Sequence, residues 1–276
     1  MSKGETAMHE MLLHFDERNL AHLLSALALA GIADEVSPCE ASRCRWRDDA
    51  FWLRVPIDQN GLFKIADAFL RNIKWIAGIG IDTSDKNKRK ITASPHHGLF
   101  STDARHFGNP LISYHDQGTT SSLFKTFSGQ KGPDDILDKQ VKALVAPVTD
   151  KPDEWLFQRA KGVASWKFDS RVGGHAYSQG FCANDDGSGD QSPFYPAIEL
   201  LSIAGAAFFS AANAWLTDED TLCYSVWRTA LPLHLAPLAA ANLLEGVDAK
   251  CFCLSPSVNT YGKGTAYKHF PEAIPF

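Results

Sequence analysis

Arg43-Cys44-Arg45-Trp46-Arg47-Asp48-Asp49-Ala50-Phe51-Trp52-Leu53-Arg54-Val55 is the stretch that decides the fold. Arg43 to Trp46 and Phe51 to Val55 read as two strands joined at Arg47-Asp48-Asp49, where polar turn residues interrupt an aromatic and aliphatic run. Pro56 stops the second strand. Upstream, Met11 to His14 is a short apolar strand candidate, and Asp16 or Asn19 is suited to cap the apolar helical segment Leu20 to Ala30. Gly31 is placed to end that helix. Downstream, Asn60 is suited to cap a second helix, predicted by the three- and four-residue spacing of Leu62, Phe63, Ile65, Ala66, Phe69, Leu70 and Ile73. The resulting order is β-α-β-β-α.

The second half offers a similar order. Val163 to Phe168 alternates like a strand, and Pro196 opens a helix expected to run to about Ala214. Thr221 to Val226 and Lys250 to Leu254 read as strands, with a helix starting near Pro237 between them. Leu23-Leu24-Ser25-Ala26 and Leu200-Leu201-Ser202-Ile203 echo one another, and each precedes a Cys/Trp strand, Cys44/Trp46 and Cys223/Trp227. The expectation is an α+β chain of two ferredoxin-like (RRM-like) halves with inserted loops, residues 1–131 and 132–276.

Composition narrows the function. The 276 residues are 45% hydrophobic and 21% charged, as in a folded protein, with a net charge of −5. That balance excludes binding nucleic acid by bulk positive charge and leaves room for a local patch. Residues 61–131 are net +5, between a first segment of net −4 and a last of net −6. The basic segment is densest at Lys86-Asn87-Lys88-Arg89-Lys90. Ala197 to Leu216 is apolar but contains Glu199, Ser202, Ser210 and Asn213, so it reads as a buried helix and not a membrane span. Met1 to Phe15 lacks the character of a secretory signal, and six scattered cysteines suit free thiols in a reducing cytoplasm.

Candidate chemistry is sparse. His96, His97, His106 and His115 lie close in sequence and form the one candidate for a metal-dependent hydrolase or nuclease. They lack a His-Glu-x-x-His pattern, and adjacent histidines on an irregular loop rarely face one ion. Gly-x-Ser-x-Gly, phosphate-loop and dinucleotide-binding fingerprints are absent. The expectation is a protein without catalytic residues or cofactor.

Three stretches carry a resemblance. They are Leu123-Phe124-Lys125-Thr126-Phe127-Ser128-Gly129-Gln130, Trp166-Lys167-Phe168-Asp169-Ser170-Arg171, and Pro193-Phe194-Tyr195-Pro196-Ala197-Ile198-Glu199-Leu200-Leu201-Ser202-Ile203-Ala204-Gly205, with Trp227 and Leu231-Pro232-Leu233 downstream. Together with the helix from Asn19 to Gly31 they resemble CRISPR-associated proteins of type I-U (also called I-G) systems, whose small members are grouped with the Cascade large subunit. The resemblance implies a non-catalytic subunit of an RNA-guided complex. Its expected partners are guide crRNA, target DNA and the other Cascade subunits, and sequence reading is left to base pairing. Overall acidity then suits a subunit whose acidic faces dock on basic neighbours.

Four groups of residues are the candidates for nucleic-acid contact. Lys86, Lys88, Arg89 and Lys90 form the first, and Lys125, Gln130 and Lys131 the second, beside Phe124 and Phe127. Lys167 and Arg171 flank Trp166, although Arg171 is equally placed to pair with Asp169. Arg43, Arg45 and Arg47 alternate along the first hairpin and therefore share a face. A protein-only adaptor, for which the basic segment has no nucleic-acid role, is the remaining alternative.

Overall fold

Strand β1 (His9–Leu13), helix α1 (Leu20–Val36), strands β2 (Arg43–Arg47) and β3 (Ala50–Val55) and helix α2 (Gln59–Arg71) follow one another in the order the hairpin implied. The computed structural model describes residues 7–48, 50–77, 98–101, 106–107, 133–147, 151–160, 168–171, 194–210, 216–218, 221–255, 257–261, 265–269 and 271–275. The chain is α+β. β3 lies between β1 and β2 and is antiparallel to both, so β1 and β2 run the same way with α1 as their connection. Arg47 pairs with Ala50 across the turn. Asp48 there has φ of 48°, a left-handed conformation that aspartate tolerates.

Two helix boundaries differ from expectation. Asn19 caps α1, its Oδ1 accepting the Ala21 N–H at 3.1 Å, but the helix continues through Gly31 to Val36. A glycine costs a helix only about 1 kcal/mol, and burial of Ile32 and Ala33 beyond it outweighs that. At α2 the cap is Asp58, not Asn60, with its Oδ1 accepting the Gly61 N–H at 2.6 Å.

The rest of the chain adds β4 (Lys74–Ala77), β5 (Gly98–Ser101), β6 (His106–Phe107), α3 (Pro133–Ala143), α4 (Pro152–Leu156) and α5 (Pro196–Ser210). Then come β7 (Leu216–Asp218), β8 (Thr221–Trp227), a 3-10 turn at Leu233–Leu235, α6 (Ala236–Ala240), β9 (Ala249–Leu254), β10 (Ser257–Tyr261), β11 (Thr265–His269) and β12 (Ile274–Pro275). β4 pairs with β5 in a separate sheet with β6, rather than with the first sheet. β8 and β9 pair directly and antiparallel, in the order β12-β9-β8-β7. Phe168 is buried outside any strand, and the rest of the strand expected from Val163 lies outside the described residues. Cys223 and Cys253 stand opposite each other on β8 and β9, with Cα atoms 4.1 Å apart, and form a disulfide. This corrects the reading of all cysteines as free thiols: β-pairing across 30 residues brought the two sulfurs together. Cys39, Cys44 and Cys251 are free.

The core is one continuous cluster organised by α1 against α5. Leu20 to Ala30 of α1 are all buried, as are Ala197 to Ala206 of α5. A helix buried on every side has to be apolar on every side, and both sequences are. Where they cross, Gly205 sits against the backbone of Leu24; a Cβ built there would lie 1.8 Å from the Leu24 carbonyl oxygen. Ser202 Oγ donates to the Ala21 carbonyl at 3.1 Å, and Ser25 Oγ donates to the Ile198 carbonyl at 3.2 Å. No other residue type fits at Gly205 without moving a main chain. Gly205→Ala is therefore expected to lower the unfolding free energy by about 3 kcal/mol, at the upper end for overpacking, while Ala204→Gly loses about 1 kcal/mol of helix propensity and somewhat under 1 kcal/mol for its buried methyl. Urea denaturation of the two variants checks the contrast.

Candidate nucleic-acid interface

Pleating sorts the first sheet into two faces. Met11, Leu13, Cys44, Trp46, Phe51, Leu53 and Val55 face the core. Glu10, Leu12, Arg43, Arg45, Arg47, Trp52 and Arg54 take the other face. Register then sets the neighbours. Glu10, Arg54 and Arg43 form one row across the three strands, and Leu12, Trp52 and Arg45 form the next. The Arg45 guanidinium lies over the Trp52 ring at 4.9 Å from its centroid. Trp52 Nε1 donates to Glu10 Oε2 at 3.3 Å, and Arg54 approaches Glu10 at 4.0 Å. Arg43 is tied to main-chain carbonyls, donating to the Ser42 oxygen at 2.8 Å and to the Glu40 oxygen. Four arginines and one half-exposed tryptophan thus share a face with the carboxylate of Glu10, and Asp48 stands at its turn.

Two clefts flank the hairpin turn. One, of about 390 Å³, is lined by Glu10, Met11, Leu12, Arg47, Asp48 and Trp52. The other, of about 600 Å³, is lined by Arg45, Trp46, Arg47, Asp48 and Arg228. It opens beside the free edge of β2. Cys44 and Leu231 exchange both main-chain hydrogen bonds, at 2.8 and 3.0 Å, but this bridge is isolated and no ladder continues toward Trp46. Arg228 reaches the cleft from the end of β8. Its Nη2 donates to the buried carboxylate of Glu17 at 2.5 Å, and Lys250 donates to the same group at 2.8 Å. Arg45 Nε, Trp46 Nε1 and Arg228 Nη1 are buried and have no hydrogen-bond partner among the described residues. A buried donor left unpaired costs about 1–3 kcal/mol; the cleft's own surface carries the guanidinium groups of Arg45, Arg47 and Arg228 beside one carboxylate, Asp48.

Arg171 is built into a different place. Its Nε donates to Asp169 Oδ1 at 2.9 Å, its Nη2 contacts Asp169 Oδ2, and its guanidinium covers the Tyr195 ring at 4.2 Å. Asn19 Nδ2 donates to Asp169 at 2.9 Å, tying the α1 cap to this pair. Burial works against the charged form of Asp169, but the hydrogen bonds and charge of Arg171 and the Asn19 amide outweigh it and hold the carboxyl below its usual range. The guanidinium fork of Arg171 is committed to Asp169, the alternative its sequence neighbourhood offered. His22 lies close by, between Phe15 and Phe157 at 5.3 and 5.8 Å, with Nδ1 accepting the Asp16 N–H at 2.7 Å.

Lys86, Lys88, Arg89, Lys90, Lys125, Gln130, Lys131 and Lys167 lie outside the described residues, as do His96, His97 and His115. His106 is in β6, where only the backbone is described. Among the described residues, no group of three or more His, Cys, Asp or Glu side chains is arranged to hold a metal. Nor is any described helix long and apolar enough to cross a membrane. Compared with known proteins, the chain matches no family model, no curated protein and no solved structure.

Trp52, Arg54 and Arg228 complete a site for which sequence reasoning named only Arg43, Arg45 and Arg47. The first two were within reach of the hairpin pattern, since alternation from Phe51 inward puts Trp52 and Arg54 outward. Arg228 had no local signal, because its proximity to β2 depends on how two sheets meet.

Burial pushes the His22 imidazole down to about 4, with the Arg171 charge adding to the effect and Asp169 and Asp16 opposing it. In the unfolded chain the same group titrates near 6.5. Below that pH the unfolded state takes up a proton that the folded state refuses, so stability falls as pH drops from about 6.5 toward 4. The loss from this residue is about 3 kcal/mol in all. Unfolding free energies measured between pH 7 and 4, with the His22 ring titration followed by NMR, check both the window and the direction.

Proposed function

We propose that this chain is a non-catalytic subunit of a type I CRISPR surveillance complex, working in the cytoplasm and holding the backbone of guide crRNA or target DNA among the other Cascade subunits. The observation that carries nucleic-acid contact is the Trp52 ring beneath Arg45 on a sheet face edged by Arg43, Arg47 and Arg54. Aromatic rings on an open antiparallel sheet stack unpaired bases, and neighbouring guanidinium groups take the phosphates. The insertion of β3 between β1 and β2 supports reading the first half as ferredoxin-like (RRM-like), a frame that presents its sheet in this way. The assembly itself rests on the sequence resemblance described above. Lys86, Lys88, Arg89, Lys90, Lys125, Gln130, Lys131 and Lys167 remain the further candidates for phosphate contact in this reading.

The test is binding of labelled guide RNA and of target duplex to the full chain, across a salt series. Replacing Arg43 and Arg54 by Glu, and separately Lys86, Lys88, Arg89 and Lys90 by Glu, is expected to weaken binding. The salt slope should shrink by about one unit for each phosphate that is no longer neutralised. Trp52→Ala should cost about 1–3 kcal/mol with the slope unchanged, the signature of a missing stacking platform. Binding that survives all three variants would leave the protein-only adaptor as the function. Metal-dependent turnover abolished by changing His96, His97 or His115 would establish the hydrolase instead.

A further inference from the structure

The geometry points to the cleft between β2 and Arg228 as a phosphate subsite, which seats one backbone phosphodiester of a single-stranded nucleic acid next to the nucleotide stacked on Trp52. This deepens the proposed function and rests on it.

The chemistry of the lining selects the ligand. Three guanidinium groups, Arg45, Arg47 and Arg228, meet one carboxylate, Asp48. Asp48 is already engaged by Arg47 Nε at 3.1 Å, and Arg228 by Glu17 at 2.5 Å. Arg45 Nε, Trp46 Nε1 and Arg228 Nη1 have almost no accessible surface and no partner among the described residues, so the contact with a ligand falls to the outer guanidinium nitrogens and not to these atoms. Three guanidinium groups beside a single carboxylate call for a group that accepts hydrogen bonds and is negatively charged. A phosphodiester meets that description, and guanidinium pairs its oxygens two at a time. A carboxylate also accepts, but the continuity of the site favours a polymer. The cleft of about 600 Å³ exceeds what one phosphate fills, and the smaller cleft beyond the turn shares Arg47 and Asp48 with it and contains Trp52. A chain of alternating bases and phosphates can occupy both, with a base on Trp52 and the adjoining phosphate at Arg45. Stacking on Trp52 needs an unpaired base, so the strand is single.

The fold also keeps the subsite from collapsing on itself. Glu17 is held within the core and reaches only the Nη2 side of Arg228, so the other side of that fork stays unpaired. Trp46 is anchored in the core, with its ring against Phe51 at 5.5 Å.

The deciding experiment is a linkage scan with the full chain. Twelve-nucleotide single strands, in RNA and DNA versions, carry a neutral methylphosphonate at one linkage at a time, and binding is read by fluorescence anisotropy. One linkage is expected to weaken wild-type binding by roughly tenfold, the weight of one charge-assisted contact. In the Arg45→Gln/Arg47→Gln variant the same linkage should make no further difference. Arg228→Lys, which keeps a cation opposite Glu17 and so preserves folding, should reduce the effect at that linkage alone. Whichever version of the strand shows the pattern identifies the source of the phosphate. A flat scan in a wild-type protein that still binds the strand overturns the subsite and leaves the proposed function standing, as does a sensitive linkage that stays sensitive in the double variant. A wild-type protein that binds neither strand at low salt overturns both.

Discussion

The close crossing of α1 and α5 is the constraint on which the remaining structure depends. Gly205 brings one helix backbone onto the Leu24 carbonyl of the other, and the serines at 25 and 202 each satisfy themselves on a main-chain oxygen across the gap. At that distance the two helices behave as one buried unit, and each brings its sheet with it. The β1-β3-β2 sheet covers α1, and the second sheet reaches the edge of β2 through the bridge of Cys44 to Leu231, just after β8, and through the Trp227 Nε1 bond to the Cys44 carbonyl at 3.1 Å. Pairing between the sheets stops there. The cleft at Arg45, Arg47 and Arg228 is what remains where two sheets have been drawn together and do not fuse.

Glu17 links that packing to the electrostatics. It follows β1, its carboxylate is buried, and it receives Arg228 and Lys250 from the second sheet. Its main-chain carbonyl takes the Tyr224 hydroxyl at 2.9 Å. Burial, with Asp16 and Glu17 adding to it, pushes the Tyr224 phenol well above its ordinary range, so that hydroxyl remains a donor. A buried carboxylate is costly unless its partners are fixed, and here both cations come from strands whose register is set elsewhere. Arg228 is therefore a geometric element more than a source of net charge. The uncompensated charge at the cleft belongs to Arg45, which lies over an aromatic ring and has no carboxylate partner among the described residues.

Local signals carried the first half of the fold and failed where distance in sequence took over. The hairpin at Asp48, the capping asparagine at 19 and the helix periodicity after residue 60 are contacts within a few residues, and all three read correctly to within a turn. Gly31 misled because propensity treats a helix as though water surrounded it, whereas α1 is enclosed by the core through Ala33. The β-α-β-β-α order was silent on β4, and an element order says nothing about which sheet such a strand joins. The Cys223–Cys253 disulfide and the approach of Arg228 to β2 both depend on pairing over long separations, and no window of sequence encodes either. On the candidate face, the arginine stripe was legible because alternation is local. Its tryptophan required one further step, knowing that Trp52 stands opposite Arg45 in the register.

An acidic chain and the proposed anion-binding face are compatible because charge acts locally in salt. At physiological ionic strength exposed charges separated by more than about 8 Å are largely screened, so the total of −5 does not describe the field at the hairpin. What matters there is four arginines against Glu10 and Asp48, on a surface where neither carboxylate is buried. The acidic remainder has a separate consequence. Under the proposed function, net negative charge in the rest of the chain would repel a long polyanion, so a strand would gain by lying along this face and lose by wrapping further around. On the same proposal, that would confine contact to a short path across the turn, the length of a few nucleotides, and leave the outer surface to basic partners.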